Sequence, residues 1–261
     1  MTELSTGDQR TRQLEAQLQT DKAAYLTAAE RLSAERRKAA VTFARRVEEL
    51  LADLAMERTR FDVRFADAHD ESSWTGDGFD TPEFFVSPNP GEDLRPLVRV
   101  VSGGELSRIM LAIKTLTFGA RLSAVDGERL GGAGAPGLIF DEVDAGIGGR
   151  VADVVGRNLR ALGSVFQVLC ITHLPQIAAY ADTHVHIEKR VERGRTSTTV
   201  KQLDGEGRVD ELARMLGGEA ITSGLRASAR EMLGGRAGAA KGEAKPKGES
   251  ESVKAKGRRG A

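Results

Sequence analysis

Three short stretches carry residue types that could do chemistry. Ser102-Gly103-Gly104-Glu105 stands at the head of an apolar-periodic run marked by Leu106, Ile109, Met110 and Ile113. A serine and two glycines at a helix start expose unpaired backbone N–H groups at the positive end of the helix dipole, which is an anion site best suited to phosphate. An ordinary N-cap, with Ser102 capping and Glu105 closing a capping box, fits the same residues. Leu138-Ile139-Phe140-Asp141-Glu142 is an apolar strand ending in two carboxylates. The first could hold hydrated Mg²⁺ and the second could activate a water against a phosphate. Cys170-Ile171-Thr172-His173 is a further strand with a polar end, 31 residues after Glu142. One intervening helix would make the two strands neighbours, bringing Asp, Glu and His to one sheet edge, where α/β ligands sit. His184 and His186 share a strand face, but without a third ligand or a cysteine pair they make a weak zinc candidate.

The elements that must position these groups follow from periodicity. Helix formers fill the chain from about Gly7 to Met56. Leu18, Tyr25, Leu32 and Ala39 recur every seven residues, then Phe43 and Leu50 continue in a shifted register, a coiled-coil seam with a stutter. The seam implies a partner helix, and a single amphipathic helix packed on a globular domain fits as well. Phe61, Val63 and Phe65 alternate with charges as a half-buried strand, and Glu83–Val86 is a second. Asp67–Asp80 reads as an exposed acidic loop. Six of the twelve aromatics lie between Phe61 and Phe85, and their acidic neighbours favour core packing over a nucleic-acid platform. Beyond Val100, helix and strand alternate: a helix from near Gly104, the glycine-rich linker Gly131–Gly137, the strand to Phe140, a helix over Gly149–Leu162 and a strand over Val165–Ile171. A hairpin (Thr183–Val191, Thr196–Leu203) and helices Val209–Leu216 and Ala220–Leu233 follow. The alternation predicts an α/β fold with a mostly parallel sheet.

Charge and composition exclude other classes. Of 261 residues, 38 are Lys or Arg and 38 Asp or Glu, so a uniformly basic nucleic-acid binder is excluded. The balance is uneven: residues 236–261 hold eight basic and three acidic side chains, and 67–95 hold eight acidic residues and one Arg. The tail composition predicts disorder. It could add sequence-independent phosphate contacts or stay solvated without a partner. One cysteine excludes a disulfide scaffold. Neither a membrane-length apolar run nor a signal-peptide pattern is present, which predicts a soluble intracellular protein.

Taken together, the motifs resemble the C-terminal lobe of an ABC-type ATPase head. Val101–Arg108 is similar to the ABC signature, Leu138–Glu142 to Walker B, Asp144-Ala145-Gly146 to the D-loop and His173 to the switch histidine. A long helix feeding the signature lobe resembles the SMC/Rad50-like branch. Within it, Phe85–Glu92, Ser102–Lys114, Ile139–Gly149, Cys170–Ala179 and Glu211–Gly218 resemble the RecN family of bacterial DNA repair proteins. The resemblance runs from the helix to about Leu233. It implies a returning coiled-coil helix over 1–58, the head lobe over 59–235 and a disordered basic tail over 236–261. It also implies ATP and Mg²⁺ as ligands, with Asp141 holding the metal shell, Glu142 polarising the attacking water, and His173 bonding the γ-phosphate and helping to place that water. Ser102, Gly103, Gly104 and Glu105 would meet ATP bound on the other head of a homodimer, and Asp144 would work across the same interface. The implied partners are DNA, a second head, and a lobe bearing the Walker A loop in cis or in trans. The implied location is the bacterial cytoplasm at the nucleoid, with no membrane contact. One departure stands out: nothing in this sequence fits Gly-x-x-x-x-Gly-Lys-[Ser/Thr]. The expectation is a fragment, a truncated frame or half of a split protein, inactive as an ATPase alone. An ABC transporter nucleotide-binding domain is disfavoured by Glu105, where transporters commonly carry Gln, and by the coiled-coil lead-in. A non-catalytic interaction or DNA-tethering module is the other alternative.

Overall fold

A computed structural model describes residues 2–66, 70–100, 102–124, 137–192, 195–218 and 220–242. The linker 131–136 and the tail from 243 onward lie outside the described residues. The chain divides into two compact units, Met1–Ile177 and Ala178–Ala261.

The first unit begins with α1, Thr2–Asp53. Its apolar stripe meets three environments. Leu14 and Leu18 are 54% and 51% exposed. At the other end, Val47, Leu51 and Leu54 are fully buried in the core. The helix stops where Ala55 turns to a left-handed φ of 60° and the Met56 N–H bonds back to the Leu51 carbonyl at 2.9 Å.

Between those ends, residues 71–80 lie along the helix. Trp74 stacks on Tyr25 with ring centroids 4.5 Å apart, and the Thr75 N–H donates to the Tyr25 hydroxyl at 3.2 Å. Lys22 meets Glu71 at 2.7 Å. The buried Asp80 carboxylate accepts from Ser33 Oγ at 2.9 Å and from Arg36 at 3.5 Å. The acidic loop therefore covers part of the seam where periodicity implied a partner helix.

β1 (Arg60–Phe65), β2 (Pro82–Ser87) and β3 (Arg95–Pro96) form an antiparallel sheet in that order. Register pairs Phe61 with Val86 and Val63 with Phe84. Phe43, Phe61 and Phe84 cluster with centroids 5.4–6.1 Å apart. Arg37 lies over Phe65 at 4.7 Å on the same face, and on the opposite face Arg64 lies over Phe85 at 4.3 Å. Packing accounts for this aromatic group.

α2 (Gly103–Ala124) leads to β4 (Gly137–Phe140), and α3 (Gly149–Gly163) connects it to β5 (Gln167–Cys170). β4 and β5 pair in parallel, Phe140 opposite Cys170. α3 buries Ala152, Val155, Leu159 and Leu162, one face at helical spacing. These residues join Ile109, Leu111, Ala112, Ile113, Phe140 and Val143 in the main core. The other sheet face is open: Ile139, Leu169 and Ile171 are 71%, 56% and 53% exposed. A short α4 (Pro175–Ala178) ends the unit.

The second unit holds the antiparallel pair β6 (Val185–Glu192) and β7 (Arg195–Gln202), then α5 (Gly205–Gly217) and α6 (Ser223–Gly242). α6 runs beyond the expected stop at Leu233. Asp204 caps α5 by accepting the Gly207 N–H at 2.7 Å. Arg226–Asp210 (3.1 Å) and Arg230–Glu206 (2.8 Å) tie the two helices.

The stacked loop yields a direct test. Trp74 is the single tryptophan of the chain. Asp80→Ala removes the buried anchor, and its steady-state emission is expected to shift to the red while the far-ultraviolet dichroism of the core persists. An unshifted spectrum would show that the loop is held without Asp80.

Candidate nucleotide site

The catalytic-type residues gather at the carboxyl ends of β4 and β5. The Ile171 N–H donates to the Phe140 carbonyl at 3.0 Å, so the two strand ends lie side by side. Asp141 and Glu142 leave one end, and Thr172 and His173 leave the other. Asp141 Oδ1 accepts the Glu142 N–H at 2.9 Å. Glu142 itself adopts a left-handed φ of 55°, which costs a non-glycine residue about 1–2 kcal/mol. Strain of this kind persists only where the surroundings over-determine it.

The surroundings are the first turn of α2. Ser102 caps it: its carbonyl accepts the Leu106 N–H at 3.0 Å and its hydroxyl the Glu105 N–H at 3.4 Å. The capping arrangement and the anion-site reading coexist, because the first N–H groups, those of Gly103 and Gly104, have no intrahelical acceptor. A β-carbon on Gly103 would collide with the Glu142 carboxylate. One on Gly104 would come within 2.8 Å of the Ala145 β-carbon and 3.0 Å of the Glu142 carbonyl. The Glu142 side chain could swing away from a β-carbon at 103, but the backbone and Ala145 could not yield at 104, so glycine is required there for this close approach. Two side chains then fasten the contact. Ser107 Oγ donates to the Asp141 carbonyl at 2.6 Å, and buried Arg108 donates to the Ala145 carbonyl at 2.8 Å. Burial lowers Arg108 below its ordinary value, with Glu105 opposing that shift.

Asp144 differs from its neighbours. It is 4% exposed, its Oδ2 accepts from Thr172 Oγ1 (2.6 Å) and the His173 N–H (2.9 Å), and His173 Nδ1 lies 3.0 Å from the same oxygen. The expectation that Asp144 reaches across to another head meets a carboxylate turned inward and held within its own chain. Arg108 and Thr172 are the residues that motif reading did not single out. No sequence spacing announces them, because each contributes through a backbone or carboxylate contact made only after folding. Cys170, under the site, has its thiol pushed up to about 12 by burial and by Asp144 and Asp141. It is therefore protonated and packed, not nucleophilic.

In the second unit, His186 Nε2 lies 3.7 Å from Glu211, whose carboxylate also takes both nitrogens offered by Arg214 at 2.6 and 2.8 Å. Burial and then Arg208 lower His184. Among the described residues no group of three or more His, Cys, Asp or Glu is arranged to hold a metal. None of their helices is long and apolar enough to cross a membrane.

Comparisons with known proteins extend this picture. No family model matches the chain. It is 40% identical over 227 residues to the DNA repair protein RecN of Halalkalibacterium halodurans, which covers 87% of this chain and 38% of that protein. With RecN of Treponema pallidum the identity is 44% over 229 residues, 87% of this chain and 38% of the relative. The chain is RecN-like across most of its own length. It spans under two-fifths of the length of these relatives. Among solved structures it is similar to an SMC ATPase (20% identity, 70% of this chain, 96% of that one, TM-score 0.37). It is also similar to an Smc head domain with an extended coiled coil from Pyrococcus furiosus (21%, 70% and 39%, TM-score 0.41).

The strain at position 142 can be measured. Glu142→Gly is expected to raise stability by about 0.5–1 kcal/mol in chemical denaturation, because glycine occupies the left-handed region without penalty. Glu142→Ala keeps the strain and gains nothing. Equal midpoints for the two variants would show a relaxed backbone.

Proposed function

We propose that this RecN-like chain supplies the signature, Walker B and switch elements of an ATPase head that serves DNA double-strand break repair by recombination. The observation that carries the reading is the convergence at one sheet edge of a glycine-started helix, two adjacent carboxylates and a carboxylate-bound histidine.

The residues fit a nucleotide with Mg²⁺. Asp141 commits only Oδ1, to the neighbouring N–H. A site with one or two carboxylates suits Mg²⁺, which keeps waters and takes substrate phosphates as further ligands, better than it suits a metal needing an all-protein cage. Bound there, Mg²⁺ would neutralise phosphate charge, with Asp141 holding its water shell. Glu142 would act as the general base that polarises the attacking water. The Gly103 and Gly104 N–H groups, with Ser102, would receive the γ-phosphate of ATP carried by a second head. Head pairing and hydrolysis are then coupled, since each site takes groups from two chains. α1 would transmit the cycle toward DNA, and the basic tail would add salt-sensitive phosphate contacts.

The phosphate cradle must come from another lobe, because no Walker A pattern occurs in this sequence. Support for a docking lobe comes from Ile139, Leu169 and Ile171, which line the uncovered face of a parallel strand pair. Parallel sheets are ordinarily covered on both faces.

The test is reconstitution. The purified chain is expected to show negligible ATP turnover, and mixing it with a Walker A-bearing lobe of a RecN relative should restore Mg²⁺-dependent hydrolysis. Glu142→Gln should then lower kcat by about 100-fold or more. Hydrolysis by the chain alone, or a reconstituted rate indifferent to Glu142, would sink the proposal. Ile139→Lys is expected to block complementation while leaving the dichroism spectrum of the chain unchanged.

A further inference from the structure

We infer that Asp144 is a positioning residue for His173: it fixes the imidazole as the Nδ1–H tautomer and so makes Nε2 an acceptor. The inference deepens the ATPase reading and takes its functional meaning from it, but the geometry stands by itself.

The hydrogen-bond directions leave little choice. Leu174 N–H donates to Thr172 Oγ1 at 3.0 Å, so the hydroxyl oxygen serves as acceptor there and its own proton goes to Asp144 Oδ2 at 2.6 Å. The His173 N–H donates to the same oxygen at 2.9 Å. His173 Nδ1 lies 3.0 Å from it. A carboxylate oxygen is an acceptor, and a proton on Nδ1 is what keeps two lone pairs from facing each other at that distance. A neutral imidazole with Nδ1–H carries its lone pair on Nε2. The backbone and Thr172 contacts hold the carboxylate, and the ring is positioned against a fixed partner. Asp144 is 6% exposed at its side chain while that of His173 is 73% exposed, so the anchor is buried and the working end of the ring is open.

The consequence is specific. A neutral His173 offers no proton to a phosphate oxygen. It accepts a hydrogen from water, so it orients the attacking water alongside Glu142. Only the doubly protonated ring would donate to the γ-phosphate. Asp144, buried and committed within its own chain, acts through His173 and does not need a second head.

The tautomer is directly readable in the chain as it exists. Long-range proton–nitrogen correlation on ¹⁵N-labelled chain reads the protonation of each ring nitrogen. His173→Gln assigns the signals by their loss. The expected result is a protonated-type Nδ1 and an unprotonated-type Nε2 for His173. An Nε2–H pattern, or averaged shifts, in the unmodified chain would overturn the inference whatever the ATPase result.

Two variants add to this. Thr172→Val should keep the tautomer, since the ring bond remains. Asp144→Ala should lose it, because no acceptor then faces Nδ1. In heads completed by a Walker A-bearing lobe, Asp144→Ala should lower kcat about tenfold or more with KM changed less than about twofold. A loss confined to KM, or a retained tautomer in Asp144→Ala, counts against positioning. Failure of the ATPase proposal would leave the spectroscopic result intact, so the two can fail separately.

Discussion

Everything at the candidate site depends on how closely the first turn of α2 approaches the segment 141–145. Gly104 removes the atom that would keep them apart, and the Ser107 and Arg108 contacts lock the approach at 2.6 and 2.8 Å. The same segment is held from its other side by the Asp144 bonds to Thr172 and His173. A five-residue turn is thereby fixed between a helix start and a strand end. Its left-handed Glu142 is the local cost, and the surrounding bonds offset it. The turn that carries the proposed general base is pinned on both sides, so its backbone needs little reorganisation to present the carboxylate.

Much of this was legible before folding. The apolar runs ending in Asp141-Glu142 and Thr172-His173 are strands because β-branched and large apolar residues precede a polar break, and one helical period between them makes them parallel neighbours. The glycine-started helix was legible for the same local reason. What stayed hidden depends on long-range contact. Asp144 has the same residue type as Asp141, three positions away, yet one is buried and the other exposed. The Thr172 hydroxyl and the His173 N–H, 28 and 29 residues on, meet Asp144. The run Leu138-Ile139-Phe140 reads as buried throughout, whereas Ile139 is 71% exposed. Composition reports that a face is apolar, not which chain covers it.

The seam of α1 teaches a related point. Heptad spacing correctly marks a face that is apolar, but a heptad pattern does not name its partner. Here the stripe is used in sections. The core takes Val47 to Leu54, a loop takes Tyr25 to Arg36 through one aromatic stack and a buried carboxylate, and Leu14 and Leu18 stay exposed. The acidic loop looked solvent-facing because acidic residues usually are. Its burial at Asp80 works only because Ser33 and Arg36 stand on the stripe at the matching height. An unpaired carboxylate there would cost several kcal/mol, so the polar interruptions of the seam fit the loop rather than weaken the helix.

A buried carboxylate recurs at both ends of this logic. Asp80 fastens a loop to a helix, and Asp144 fastens a turn to a histidine. In each case the anion receives a hydroxyl proton and a second donor, the arrangement that lets a charge leave water without prohibitive desolvation. The two differ in what they leave outside. Behind Asp80 lies a packed helix, so its role ends in structure. In front of Asp144 lies an exposed imidazole with one nitrogen committed, so the cost of burying that charge sets the protonation pattern of a group that solvent and substrate can reach. A hydrophobic residue at 144 could fill the space, but it would leave Nδ1 free to choose its tautomer. A charge at this position therefore has a chemical role in addition to the structural one of pinning the turn.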